Sequence, residues 1–159
     1  MLGGTFDVVW ASCPCQMYSI ARSCAKTPRD LEGADALVRR ALEIIEWVKP
    51  RVWFLENPSS GLLKTRDVVA GLKWFDIDYC VSGGMPYRKR TRIWTNVDVQ
   101  PPRLCKQDCW ACEGGKHKEW AQKGSKNRRG VVGFTTSQLG AIPPLVCEFI
   151  YSIVEGSKR

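Results

Sequence analysis

The chain has 159 residues, 44% hydrophobic and 25% charged, with a formal net charge of +8. That is long enough to bury one core and too apolar for a disordered chain. No run approaches the roughly 20 apolar residues that span a bilayer, and Met1–Trp10 lacks a basic start followed by an apolar stretch, so neither a membrane span nor a secretory leader is expected.

The first predicted element is a buried strand over Phe6–Ala11, "FDVVWA", ending at a Cys/Pro cluster. Ser19–Gly33 is polar and broken by Pro28 and Gly33, so a loop is expected. Ala34–Val48 carries helical periodicity, with Leu37, Ala41, Ile44 and Val48 on one face flanked by Val38 and Ile45, and Lys49-Pro50 stops it. Val52–Leu55 is a second buried strand that delivers Glu56-Asn57-Pro58 at its end. A helix is predicted over Ser59–Leu72 and strands over Ile77–Val81 and Arg92–Asn96. Gln100-Pro101-Pro102 marks a boundary, after which the chain is polar and Lys-rich to Arg129. Gly140–Ile153 returns to helical pattern, with Pro143 and Pro144 in its first turn. The strand–helix–strand alternation predicts an α/β sheet with mostly parallel strands, with reactive residues at strand C-termini.

The charge is unevenly placed. Residues 86–129 hold 12 Lys/Arg against 4 Asp/Glu, and the remainder holds 12 of each. A concentrated basic segment suits a phosphate-bearing partner through counterion release, although a solvated surface has the same composition. The eight cysteines do not read as a disulfide framework, because three of them fall with the only histidine in a 13-residue stretch. Their usage suggests a reducing, intracellular compartment, nucleus or cytoplasm.

Several constellations carry chemistry. In "SCPCQMYS", Ser12–Ser19, a cysteine beyond a buried strand suits a nucleophile; a metal pair or two buried thiols fit the same residues. In "LENPSSG", Leu55–Gly61, Glu56 at a strand end suits a partly buried acid that donates to a ring nitrogen, or an ordinary turn. In "GGMPYRKRTRIW", Gly83–Trp94, four basic residues between Arg88 and Arg92 suit a base oxygen or a phosphate, or a solvated turn. "GAIPPLVCEFI", Gly140–Ile150, is by itself a core helix. Cys105, Cys109, Cys112 and His117 form C-x3-C-x2-C-x4-H, a donor set for tetrahedral, structural zinc. Residues 103–129 offer few apolar side chains beyond Leu104, Trp110 and Trp120, so a metal would order what a core does not; the alternative is a basic loop with free thiols.

Taken in order, these blocks resemble the C5 cytosine-specific DNA methyltransferases. "PCQMYS", Pro14–Ser19, is similar to the family's Pro-Cys-Gln nucleophile motif. Glu56-Asn57 matches its Glu-Asn-Val, with Pro58 in place of Val. Gly84-Met85-Pro86 precedes basic residues as in the family, and Gly140–Pro144 resembles the closing Asn-Ala-Val-Pro-Pro, with Gly140 where the family often has Asn. The resemblance implies a Rossmann-like fold of which this chain is the C-terminal part of the sheet. It implies residues 1–99 as a partial catalytic core, 100–130 as a small target-recognition and zinc insertion, and 131–159 as a segment returning to the core.

The resemblance also implies a mechanism: methyl transfer from S-adenosylmethionine to C5 of a flipped cytosine, with Cys15 as covalent nucleophile and Glu56 bonding N3 and the exocyclic amine. The family's Gln-x-Arg-x-Arg frame reads Tyr87, Lys89 and Thr91 here, so the basic contact to O2 falls to Lys89, Arg90 or Arg92. Pro14, Gly140 and Ala141 would contact the cofactor. Gln16, Ser19, Arg22, Arg88, Lys116, Lys118, Arg128 and Arg129 would contact double-stranded DNA. The family's Gly-rich cofactor turn has no counterpart in these residues, which is expected of a fragment, of a chain completed by a separate polypeptide carrying the N-terminal half, or of a non-catalytic zinc-dependent nucleic-acid-binding domain on the same scaffold. RNA cytosine methyltransferases generally use a different cysteine arrangement, and Glu56-Asn57 fits the DNA family better.

Overall fold

A computed structural model describes residues 6–22, 25–121 and 134–157. It is a mixed α/β fold built on a four-stranded sheet of order β1-β2-β4-β3. The strands are β1 (Val8–Ser12), β2 (Val52–Pro58), β3 (Lys73–Asp78) and β4 (Arg90–Thr95). β1 and β2 are parallel, whereas β4 runs antiparallel to both β2 and β3. Three strands therefore point one way and β4, inserted between β2 and β3, points back, so the sheet with mostly parallel strands expected from the sequence is a mixed one. After β3 the chain makes one helical turn, α2 (Tyr79–Ser82), and returns directly as β4. So short a connection permits an antiparallel neighbour, whereas a parallel one needs a long crossover.

Alternate residues face opposite sides of the sheet. Val52 and Phe54, with Phe75, Ile77 and Ile93, bury one face against Val146, Ile150 and Val154. Leu55 and Trp94 bury the other against Tyr18, Ala34, Val38 and Leu63. Val146, Ile150 and Val154 belong to α4 (Pro144–Gly156) and Ala34 and Val38 to α1 (Leu31–Val48), while Tyr18 and Leu63 come from the segments after β1 and β2.

α1 begins three residues before its periodic stretch because Asp30 caps it, accepting a hydrogen bond from the Gly33 amide. Lys49 ends it in a left-handed conformation (φ 52°) ahead of Pro50. Its buried stripe is Ala34, Asp35, Val38, Ile45 and Val48, while Leu37 and Ile44 are exposed. The apolar positions span more than one face, and packing on the sheet selects the stripe through Val38 and Ile45.

The helix expected over 59–72 is instead two 3-10 turns, Leu62–Thr65 and Asp67–Val69. Between them Arg66 is extended (ψ 143°), its guanidinium bonded to Asp35. β3 covers 73–78, so the strand expected over 77–81 ends early and becomes α2. The C-terminal helix is split: α3 (Thr136–Gly140) starts at a Thr135–Gln138 capping box, and α4 starts with Pro144 in its first turn. Thr136–Gly156 taken together is long and apolar enough to cross a membrane by length and composition, with mean hydropathy 1.3, contrary to the expectation of no such run. The chain is extended at Ala141 and Pro143 between the two helices, and α4 contributes three side chains to the core.

Candidate functional site

The directions of the strands bring β1, β2 and β3 C-termini and the β4 N-terminus to one edge of the sheet. At that edge Ser12 is the register partner of Glu56. Glu56 is 8% exposed. Burial pushes its pKa up, opposed by the Lys89 ammonium and by a hydrogen bond with Ser12. Its Oε1 is buried without a protein partner. A buried carboxyl oxygen with nothing to bond is costly for folding and is ready to bond a ligand.

The next residue, Asn57, is fully buried on the opposite face and donates from Nδ2 to the Cys13 carbonyl at 3.0 Å. This bond ties the cysteine loop to β2. Beyond it Cys15 is half-buried, with its carbonyl accepting from the Tyr18 amide at 3.1 Å. Cys13 is also half-buried, its pKa raised by burial and then by the Glu56 charge.

The three basic candidates separate at β4. Lys89 immediately precedes β4, whose Ile93 pairs with Glu56, and the Lys89 carbonyl accepts from the Tyr79 amide at 3.2 Å, so its placement rests on contacts rather than on strand register. Its Nζ donates to the Leu139 carbonyl at 2.8 Å and lies 4.7 Å from the Tyr79 ring centroid. Burial lowers its pKa, while the charges of Glu56 and Cys15 raise it. Lys89 thus stands within electrostatic reach of both. Arg90 and Arg92 have the parity opposite to Ile93. Arg90 makes a two-pronged pair with Asp78 (3.0 and 2.7 Å), and Arg92 one with Asp76 (2.8 and 3.1 Å) over the Trp74 ring at 3.4 Å. The structure does not bring these two arginines to Glu56; they brace the opposite face.

The loop after Cys15 is held from several sides. Tyr18 is fully buried; its hydroxyl donates to Asp35 Oδ1 at 2.8 Å, and its carbonyl accepts from the Leu62 amide at 2.9 Å. A Cβ on Gly61 would stand 3.2 Å from the Pro58 carbonyl and 3.4 Å from that of Tyr18, so a bare backbone lets the two segments meet. Arg29 donates to the Met17 and Ser19 carbonyls. Burial opposes ionisation of Asp35, but bonds from Arg66 and Tyr18 outweigh it and hold its pKa below the ordinary value. A depressed carboxylate stabilises the fold above the unfolded pKa, near 3.9, and the contribution is lost as pH falls through the folded value. Asp35→Asn is therefore expected to lower the urea midpoint at neutral pH, the gap from wild type closing in acid. Tyr18→Phe is expected to cost about 1 kcal/mol in the same titration.

Two clefts adjoin this edge. One, of about 320 Å³, is lined by Pro58, Ser60, Arg88, Lys89, Arg90, Ala121 and Leu139. A second, of about 190 Å³, is lined by Arg88, Gln107, Lys116, His117, Glu119 and Trp120. Of the DNA-contact candidates, Arg88 and Lys116 therefore share one cleft. Lys118 is exposed and pairs with Glu113 at 3.2 Å. Gln16 is exposed and Ser19 half-buried on the cysteine loop. Arg22 is committed to the Thr27 and Pro28 carbonyls. Arg128 and Arg129 lie outside the described residues.

Beside the second cleft Cys80, Cys105, Cys109 and His117 place their donor atoms within 4.8 Å of one another, a cluster that could hold a metal. Cys80 lies on α2, far upstream of the other three, and no sequence spacing points to it. Cys112, expected from spacing, touches Cys109 Sγ at 3.6 Å and His117 Nε2 at 3.5 Å but falls outside that mutual set.

The cofactor candidates Pro14, Gly140 and Ala141 are all exposed, and a Cβ on Gly140 would meet nothing within 4 Å. In the same segment Pro143 is buried against Gly83, where a Cβ would come within 2.9 Å of the proline ring. Lys89 joins this closing segment to β4 through the Leu139 carbonyl.

A cysteine-bearing loop, a buried carboxyl with one unpartnered oxygen and a partly buried ammonium thus lie toward one end of the mixed sheet. The chain is 32% identical over 160 residues to a probable DNA (cytosine-5)-methyltransferase of Frog virus 3 (isolate Goorha), with 89% of this chain and 72% of the relative covered. It belongs to the DNA (cytosine-5)-methyltransferase family. No protein-family model matches it.

Proposed function

We propose that the protein methylates C5 of cytosine in DNA through a covalent adduct with Cys15. The observation that carries this reading is Glu56: a buried carboxyl of raised pKa with one oxygen unbonded, beside Lys89 and across from the residue that leads into the Cys15 loop.

The target base must leave the duplex, because its ring atoms are unreachable in the stack. The Cys15 thiolate forms a bond to C6, and the ring electrons move toward N3 and O2. Glu56, protonated, donates to N3 and so neutralises the charge that builds there; Lys89 stands beside it to meet O2. The activated C5 takes up a methyl group. A water molecule takes the C5 proton, the C–H electrons re-form the C5–C6 double bond and expel the Cys15 thiolate, and the N3 proton returns to Glu56. S-adenosylmethionine, when bound, supplies the electrophilic methyl, and Pro14, Gly140 and Ala141 are the residues of this chain that would face it. Residues 100–130 would act as the target-recognition element, with Arg88 and Lys116 on phosphates, between a Rossmann-like core of 1–99 and the returning segment of 131–159. An intracellular site of action accompanies this reading.

A duplex carrying 5-fluorocytosine tests it, because fluorine at C5 blocks the final elimination. Incubation with S-adenosylmethionine, together with any polypeptide that supplies the N-terminal half, is expected to give a denaturant-stable protein–DNA adduct that Cys15→Ser does not form. DNA binding without any adduct would favour a non-catalytic nucleic-acid-binding domain, and an adduct that survives Cys15→Ser would remove Cys15 from the chemistry.

A further inference from the structure

The segment that follows the sheet has almost no hydrocarbon core. Its buried cluster is Cys80, Cys105, Cys109 and Ala111, with Val81 and Cys112 against it, while Trp110 is 66% exposed. Four buried or half-buried donors from two distant parts of the chain converge there. Cys109 Sγ lies 3.3 Å and Cys105 Sγ 3.6 Å from His117 Nε2. A tetrahedral zinc with Zn–S near 2.3 Å and Zn–N near 2.0 Å requires donor–donor edges of about 3.5–3.8 Å, close to these separations. Three sulfurs and one imidazole favour zinc over harder cations.

We propose that zinc is held by Cys80, Cys105, Cys109 and His117, and that it fastens the 103–121 segment to the catalytic sheet. The distinguishing ligand is Cys80. The set Cys105, Cys109, Cys112 and His117 would close a metal loop within one segment and add no link from it to the sheet. With Cys80 as a ligand, the metal instead joins that segment to α2, the turn that follows β3. Two further contacts run in parallel: the Cys105 amide donates to Asp78 Oδ2 at 2.8 Å, and Trp110 Nε1 donates to the Cys80 carbonyl at 3.0 Å. Tyr79, the neighbour of Cys80, carries the ring beneath Lys89. The metal therefore fixes the insertion relative to the Lys89–Glu56 edge, and Cys112, half-buried and 3.6 Å from Cys109 Sγ, is left as a free thiol beside the site.

The proposal is independent of the methylation reading and is tested without an activity assay. Purified wild-type protein is expected to carry about one zinc per chain by elemental analysis. Cys112→Ser is expected to keep it, and Cys80→Ser and His117→Ala to lose most of it. A cobalt-substituted sample should show tetrahedral d–d bands and thiolate charge transfer that are unchanged in Cys112→Ser. Should Cys80→Ser fail to fold, alkylation of zinc-loaded wild type followed by mass spectrometry decides: Cys112 is expected to label while zinc is retained and Cys105 and Cys109 stay protected. Loss of zinc in Cys112→Ser, protection of Cys112 together with Cys105 and Cys109, or a metal-free wild type whose 103–121 segment resists protease equally with and without chelator would each overturn the assignment.

Discussion

Glu56→Gln is expected to lower the rate of methyl transfer by about 10²–10⁴-fold, the range for loss of a positioned proton donor. The amide is nearly isosteric, so the cysteine loop and the Asn57 anchor should stay in place, and binding of a duplex should change little. The physical cause is loss of a proton that can move to N3 as negative charge builds on the ring. Stability is expected to respond in the opposite sense. Burial raises the folded pKa of Glu56, against the opposing pull of Lys89 and Ser12. A raised carboxyl favours the fold fully below its unfolded pKa, near 4.3, and that contribution is lost as pH rises through the folded value. At neutral pH the neutral amide avoids this loss, so the melting temperature of Glu56→Gln should equal or exceed that of wild type. A variant that is both active and destabilised would show that Glu56 is a structural acid. Single-turnover methylation beside thermal unfolding at two pH values separates the cases.

Lys89→Met is expected to reduce the rate by about 10²–10³-fold, the usual effect of deleting one donor aimed at developing charge. Three observations place this side chain: its bond to the Leu139 carbonyl, its position over Tyr79, and its electrostatic reach to Glu56 and Cys15. The ammonium lowers the Glu56 pKa. Removing it should therefore carry the alkaline limb of the pH–rate profile, which reports protonated Glu56, to higher pH. A role limited to packing would not move that limb. Arg92→Gln is the contrast. It abandons Asp76 on the other face of the sheet and should cost stability, about 1–3 kcal/mol for the broken charged bonds, while the pH profile keeps its shape. A larger rate loss from Arg92→Gln than from Lys89→Met would reverse the assignment of the basic contact.

The sequence by itself determined the family and the parts of the edge that are local. Pro14–Ser19 and Glu56-Asn57 follow apolar runs, so their placement toward the C-terminal ends of β1 and β2 was legible, as was the body of α1, although β2 runs on through Pro58 instead of stopping at Leu55. The clustering of basic charge and of Cys105, Cys109, Cys112 and His117 was legible for the same reason: short spacing is visible without a fold. Tertiary structure decided what depends on partners distant in the chain. That Arg90 and Arg92 point away from the face of Glu56 follows from the register of β4, fixed only when β4 paired antiparallel between β2 and β3, and Lys89, just before that strand, is placed by Leu139 and Tyr79. The break at Arg66 follows from its pair with Asp35 on α1, which overrides local helix preference. Cys80 joins the metal cluster because α2 folds over Cys105 and Cys109. Periodicity and spacing report forces between near neighbours, whereas register and ligand convergence arise from contacts that exist only after the sheet has closed.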